Sequence, residues 1–318
     1  MADAFERTLI GRAPSFQAAL RTAAVAAATD VSVLVLGETG TGKELLARAL
    51  HAESPRSGGP FVSVNCAALP EELAESQLFG HRKGAFTGAV DNSPGMVASA
   101  EGGTLFLDEV GELSAGLQAK LLRFLEAGEY QPVGAAAPQR ANVRLVAATN
   151  RDLFQEVRAG RFREDLYYRL HVVPVELPPL RERPGDVSLL LERLTADLAD
   201  RYDLAAPRFN SAARARLEAY AWPGNVRELR NLCERLVIML PGWEVGPGNL
   251  PEELGREEAA PAGPFTLPET GLRLDALEAD LIRQALERTA GNRSRAARLL
   301  GLTRDTLLYR LKKYAIQA

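Results

Sequence analysis

Apolar residues in the first half of the chain come in short runs rich in β-branched side chains, at 31–36, 61–65, 104–107, 143–147 and 172–176. The first of them, Val-Ser-Val-Leu-Val-Leu, ends at Gly37. Between the runs, apolar positions recur at helical spacing, as in 44–53 and 115–127. Buried strands alternating with amphipathic helices predict an α/β unit, a parallel sheet covered on both faces. Its phosphate-binding edge belongs at the carboxyl ends of the strands.

The strand signal stops after Pro178-Pro179-Leu180-Arg181-Glu182-Arg183-Pro184. Segments 186–202, 211–220 and 225–240 then read as helices, with Trp222-Pro223-Gly224-Asn225 supplying a stop and a fresh start. From 241 to 268 the chain is rich in Pro, Gly and Glu and loses its periodicity, the composition of a linker. A last helical module follows. The expected units are therefore an α/β subdomain at 1–180, a helical subdomain at 181–243, a linker at 244–270 and an all-α domain at 271–318.

A length of 318 residues suits two or three such units, and 46% hydrophobic residues suits packed cores. The net charge of -3 conceals an asymmetry. From Arg288 onward the bases Arg288, Arg293, Arg295, Arg298, Arg304, Arg310, Lys312 and Lys313 face a single acid, Asp305, which marks a cationic module. The first residues lack a basic segment followed by an apolar stretch, and no apolar run approaches the roughly 20 residues that span a bilayer. Cys66 and Cys233 lie far apart in apolar surroundings and read as buried free thiols, while His51, His81 and His171 lack ligand spacing. The expectation is a cytoplasmic protein without membrane insertion.

The chemistry concentrates after the strands. Gly37-Glu38-Thr39-Gly40-Thr41-Gly42-Lys43 follows a strand and opens a helix, the setting a phosphate-binding P-loop requires. Its glycines let backbone N–H groups close around phosphates at a helix N-terminus, and Lys43 is expected to reach the β- and γ-phosphates of a nucleoside triphosphate. Glu44 stands where the motif usually has Ser or Thr for magnesium, so the metal must lean on other groups. Asp108, ending an apolar strand, is expected to hold Mg2+ through its water shell, and Glu109 to polarise the attacking water. Thr149-Asn150 ends another strand where a γ-phosphate sensor would sit. Arg163 and Arg169 are candidate arginine fingers, residues that neutralise transition-state charge.

Together with these, Gly84-Ala85-Phe86-Thr87-Gly88-Ala89 resembles the signature of the AAA+ activators of sigma-54 RNA polymerase, the bacterial enhancer-binding proteins. Residues 102–109, 177–183 and 222–229 are similar to the same family, and the likeness runs from about Leu9 to the end. Glu44 is usual there. The resemblance implies ATP as the nucleotide and Gly84–Ala89 as a mobile loop that touches sigma-54 through Phe86 and Thr87. It also implies that Asn65 restrains Glu109, that Arg227 senses nucleotide from the helical lid, and that Arg163 and Arg169 act on a neighbouring subunit. The active form would be a homo-oligomeric ring, a hexamer, with a dimer at rest. ATP hydrolysis would remodel the closed sigma-54 RNA polymerase holoenzyme complex into the open one.

The basic module looks like a helix-turn-helix. Ala297 permits close helix crossing, Gly301 makes the turn, Leu300, Leu302 and Leu307 fill the core, and Thr303 caps the second helix. That helix buries Leu307, Leu311 and Tyr314. Arg304, Asp305, Thr306, Tyr309, Arg310 and Lys313 would face DNA, with Arg293, Arg295 and Thr303 alongside. The segment resembles the Fis-type DNA-binding domain of the family, bound to upstream enhancer DNA. Leu274, Leu277, Leu281 and Ala285 of the preceding helix would then lie in a dimer interface. Another AAA+ motor would lack the Gly84–Ala89 loop, and a repressor with a mere nucleotide switch would not need Asp108, Glu109 and the two arginines. Only about eight residues precede the ATPase region; an inhibitory protein acting in trans, as in the phage-shock type of activator, is one expectation, and a truncated gene is the other.

Overall fold

The computed structural model describes residues 4–251, 254, 273–289, 291–314 and 316. The chain divides into two compact units, 1–256 and 257–318, each described by itself.

In the first unit, strands β1 (Val33–Leu36), β2 (Phe61–Asn65), β3 (Thr104–Asp108), β4 (Arg144–Thr149) and β5 (Val173–Glu176) form a five-stranded parallel sheet of order β2-β3-β4-β1-β5. Side chains alternate across it, as a period of two demands. Leu34, Leu105, Leu107, Leu145 and Ala147 enter one core. Val33, Val35, Phe106, Val146 and Ala148 enter the other. Helices α1 (Pro14–Ala27) and α2 (Lys43–Ala52) cover the second face, while α3 (Ala115–Ala127) and α4 (Glu164–Leu170) cover the first. Pro174, which cannot donate to a ladder, sits on the edge strand β5. The expected strands are thus present, shortened or lengthened by one or two residues at their ends.

Arg144 is buried at the start of β4 and hydrogen-bonds no carboxylate among the described residues. Its Nη1 and Nη2 donate to Ala27 O at 3.1 Å and Ala26 O at 2.8 Å, placing a cation on the C-terminus of α1. Burial pulls its pKa below the ordinary arginine value.

Beyond the sheet, α5 (Asp186–Tyr202), α6 (Ser211–Ala219) and α7 (Asn225–Met239) pack around Trp222. Trp222 and Asn225 both adopt left-handed backbone, φ 52° and 51°, which folds the corner between α6 and α7 tightly. The indole is 0% exposed, and its Nε1 donates to Leu217 O at 2.9 Å. The linker reading of 244–270 needs correction at its start. Glu244–Val245 pairs with Arg208–Phe209, and Val245, Leu250 and Leu254 are buried in this same core. Isolated apolar residues in a Pro/Gly-rich stretch gave no periodic signal, although each covers exposed core. Most of the remaining linker lies outside the described residues.

The second unit holds α8 (Leu274–Arg288), α9 (Arg293–Leu299) and α10 (Arg304–Lys313). Gly301 takes φ 66° in the turn, and Thr303 Oγ1 accepts from Thr306 N at 3.2 Å as the cap of α10. Ala297 and Leu307 are buried, with Leu300 and Leu302 beside them. Ala285 also belongs to this core, so its expected place in a dimer interface is corrected; Leu274 and Leu281 remain exposed. Among the described residues, no helix is long and apolar enough to cross a membrane.

Removing the indole at Trp222 leaves a void that rigid neighbours cannot close. Trp222→Ala should lower the stability of the first unit by about 3–5 kcal/mol, and Trp222→Phe by less, read from urea unfolding midpoints.

Candidate nucleotide-hydrolysis site and DNA-facing surface

Strand register builds the site. Leu36 lies opposite Thr149 and Glu176, and Asn65 lies opposite Asp108, so the carboxyl ends of the strands are level. The P-loop leaves β1 at Gly37 and enters α2 at Lys43. Gly40 has φ 83°, and a Cβ there would lie 2.3 Å from Gly224 O, so only glycine fits between loop and lid. Lys43 is buried; its Nζ donates to Gly37 O at 2.9 Å and Glu38 O at 3.4 Å. Thr41 Oγ1 donates to Glu38 O at 2.8 Å, closing the loop on itself.

Asp108 ends β3 and Glu109 follows it, beside Lys43. Burial and the charge of Glu109 push Asp108 above the usual carboxylate range, with Lys43 opposing the shift. Glu109 is a non-glycine residue at φ 53°, a strained conformation that swings its carboxylate onto the sheet edge. Its Oε1 lies 3.6 Å from Lys43 Nζ, and its Oε2 accepts from Asn150 N at 3.2 Å. Asn150 Nδ2 in turn donates to Thr39 Oγ1 at 3.1 Å. Three loops are thereby joined around one carboxylate. A cleft of about 470 Å³ opens beside them, lined by Gly37, Glu38, Asn150, Tyr167 and Arg181.

Among the expected residues, Asn65 is placed differently. Asn65 accepts from Ala67 N at 3.0 Å, capping a short turn, and no hydrogen bond joins it to Glu109 among the described residues. The restraint on Glu109 comes from Asn150 and Lys43. Glu44 faces outward and pairs with Arg48 at 2.7 Å. Arg163 pairs with Asp165 at 2.6 Å, and Arg169 donates to Leu125 O at 2.8 Å, so neither hydrogen-bonds the P-loop of its own chain. Arg227 lies at the loop, its backbone N donating to Gly40 O at 3.3 Å. Burial pushes the thiols of Cys66 and Cys233 up to about 12, which leaves both inert near neutral pH.

Arg181 and Asn225 had no role in the sequence reading, yet both grip the P-loop. Arg181 holds the Glu38 carboxylate from both terminal guanidinium nitrogens, Nη1 and Nη2, at 2.9 and 2.6 Å. Asn225 Nδ2 donates to Glu38 Oε2 and Thr39 O, both at 3.1 Å. Only the motif stretches around them were visible; a separation of 143 residues hides the Arg181 contact from any local pattern.

The segment Gly84–Ala89 forms a loop whose ends meet, Gly84 N donating to Ala89 O at 2.9 Å. Gly84 and Gly88 take φ 79° and 100°, Thr87 is exposed, and the half-buried Phe86 ring meets His81 edge-on at 5.0 Å. In the second unit, Arg293, Arg295, Arg304, Asp305, Tyr309 and Lys313 are exposed. Thr306 Oγ1 is shared with Thr303 Oγ1 at 2.7 Å. Arg310 is corrected: it pairs with Glu278 of α8, as does the Tyr314 hydroxyl, so it anchors α10 within the unit.

A P-loop sheet with a helical lid, followed by a helix-turn-helix, defines an AAA+ ATPase joined to a DNA-binding unit. Family comparison agrees along the chain. The sigma-54 interaction domain matches residues 9–176, the AAA+ ATPase lid domain 181–264, and the bacterial regulatory protein, Fis family, 273–314. The chain belongs to the sigma-54-dependent AAA+ transcriptional activators, ATPases that regulate transcription and carry a Fis-type DNA-binding domain. It is 48% identical to the transcriptional regulatory protein ZraR of Klebsiella oxytoca over 307 residues, 96% of this chain and 68% of that one. It is 44% identical to the DNA-binding transcriptional regulator NtrC of Rhizobium meliloti over 338 residues, 97% of this chain and 70% of that one. The structure of NtrX from Brucella abortus in complex with ATP superposes with a TM-score of 0.72 at 33% identity, covering 97% of this chain and 69% of that one.

With Glu109 as the one carboxylate held jointly by Lys43 and Asn150, Glu109→Gln should lower kcat for ATP by on the order of 10²–10⁴-fold and leave nucleotide binding in place. Phosphate release and a nucleotide titration check both halves; near-normal turnover would remove Glu109 from catalysis.

Proposed function

We propose that this chain binds ATP and Mg2+ at the Gly37–Lys43 loop, hydrolyses ATP as a hexameric ring built from resting dimers, and drives the closed sigma-54 RNA polymerase complex open from upstream DNA. Backbone groups of Gly37, Glu38, Thr39, Gly40, Thr41 and Gly42 cradle the phosphates and Lys43 neutralises them, while Asn150 and Arg227 report on the γ-phosphate. A hard divalent cation suits Asp108. Such an ion is commonly held by one or two carboxylates together with phosphate and water. A cation would also relieve the penalty that burial and Glu109 impose on the Asp108 charge. Glu109 orients and polarises the attacking water. Arg163 and Arg169, engaged away from their own P-loop, serve the site of the adjacent subunit. Arg304, Tyr309 and Lys313 read or clasp DNA, with Arg293 and Arg295 on phosphates.

The observation that carries the coupling is the loop Gly84–Ala89. Two glycines in left-handed backbone flank an aromatic and an exposed threonine, so the tip can change shape at small cost while its base stays fixed by pairing of His81 with Ser93 and Val133. Phe86 offers a compact apolar contact to sigma-54. Thr87→Ala should therefore keep ATPase activity within about twofold, since a surface side chain remote from the phosphates contributes little to turnover. It should stop sigma-54-dependent open-complex formation in a permanganate footprint. Undiminished opening would refute the contact role.

A further inference from the structure

The P-loop is held from outside by more than its own backbone. Three consecutive residues, Glu38, Thr39 and Gly40, each bond to the lid or to the hinge that leads into it. The Glu38 carboxylate accepts from both terminal guanidinium nitrogens of Arg181, which lies in the hinge turn Leu180–Glu182. Asn225, the first residue of α7 and 0% exposed, donates to Glu38 and Thr39 and accepts from Leu180 N at 2.7 Å. Loop, hinge and lid therefore share one hydrogen-bonded knot.

We infer that Glu38 and Arg181 are positioning residues that couple lid orientation to ATP affinity. The Arg181–Glu38 pair is about four-tenths exposed on each side, so it adds little to fold stability. Its value is geometric, because a bidentate guanidinium–carboxylate contact fixes both distance and plane. What it fixes matters. The Glu38 carbonyl accepts from Thr41 Oγ1 and from Lys43 Nζ. A lid that turns carries Arg181 and Asn225 with it, moves Glu38, and shifts the carbonyl against which Lys43 rests. Phosphate binding, which recruits Lys43, and lid closure then act on one loop. Neither residue touches the reacting atoms, so the effect falls on binding and much less on the chemical step.

The test is a charge-reversal cycle in the full chain, measuring KM and kcat for ATP, ADP affinity by titration, and the thermal midpoint. Glu38→Arg and Arg181→Glu should each weaken ADP binding and raise KM by about tenfold, the loss of one charge-assisted contact. The thermal midpoint should hold, and kcat should fall by less than about threefold. The double reversal should recover most of the affinity. Glu38→Gln, which keeps an acceptor for Asn225, should lie between wild type and Glu38→Arg, and it gives the answer if a reversal variant fails to fold. Unchanged KM and ADP affinity in the single variants would overturn the inference. So would weakened binding that the double reversal leaves unrecovered with the midpoint intact.

Discussion

Register between parallel strands is the constraint on which the ATPase region rests. Because Leu36 aligns with Thr149 and Glu176, and Asn65 with Asp108, the chain leaves five strands at one level. A slip of one residue in β3 would turn Leu105 and Leu107 from one core to the other and drive Phe106 across the sheet. It would also withdraw Asp108 and Glu109 from Lys43. The alternating apolar faces that stabilise the fold are therefore the same features that set the chemistry in place.

Around that edge, the two acids Asp108 and Glu109 sit in unequal surroundings. Glu109 is strained in its backbone yet held by Lys43 and Asn150, while Asp108 is pushed toward protonation by burial and its neighbour. Such a site suits a nucleotide, and on the proposed reading a bound cation would relieve part of the imbalance. Within the chain, Lys43 and Arg227 face the loop, but Arg163 and Arg169 are committed to Asp165 and Leu125. On the proposed reading, a neighbouring subunit would supply the arginines that this arrangement keeps away from the P-loop.

Much of this was legible from residue order alone. Residues 115–127 and 186–202 carry apolar spacing so regular that helix and sequence pattern share the same limits. The P-loop and the Asp108-Glu109 pair announce themselves because their neighbours in sequence are their neighbours in space. What escaped was non-local or backbone-encoded. Arg181 and Asn225 reach Glu38 over separations of 143 and 187 residues in sequence, and the left-handed backbone at 225 falls on a non-glycine residue. Arg310 looked outward by charge but is drawn inward by Glu278 on another helix. Val245, Leu250 and Leu254 looked like linker because each closes the lid core singly.

If the arginines act between subunits, a working site needs two of them. Mixing Glu109→Gln protein with Arg163→Ala protein places an intact Glu109 opposite an intact Arg163 at some interfaces of a mixed ring. Steady-state phosphate release from the mixture should rise well above the sum of the two inactive parents. A mixture no more active than that sum, under conditions where the rings exchange subunits, would contradict an arginine acting between subunits.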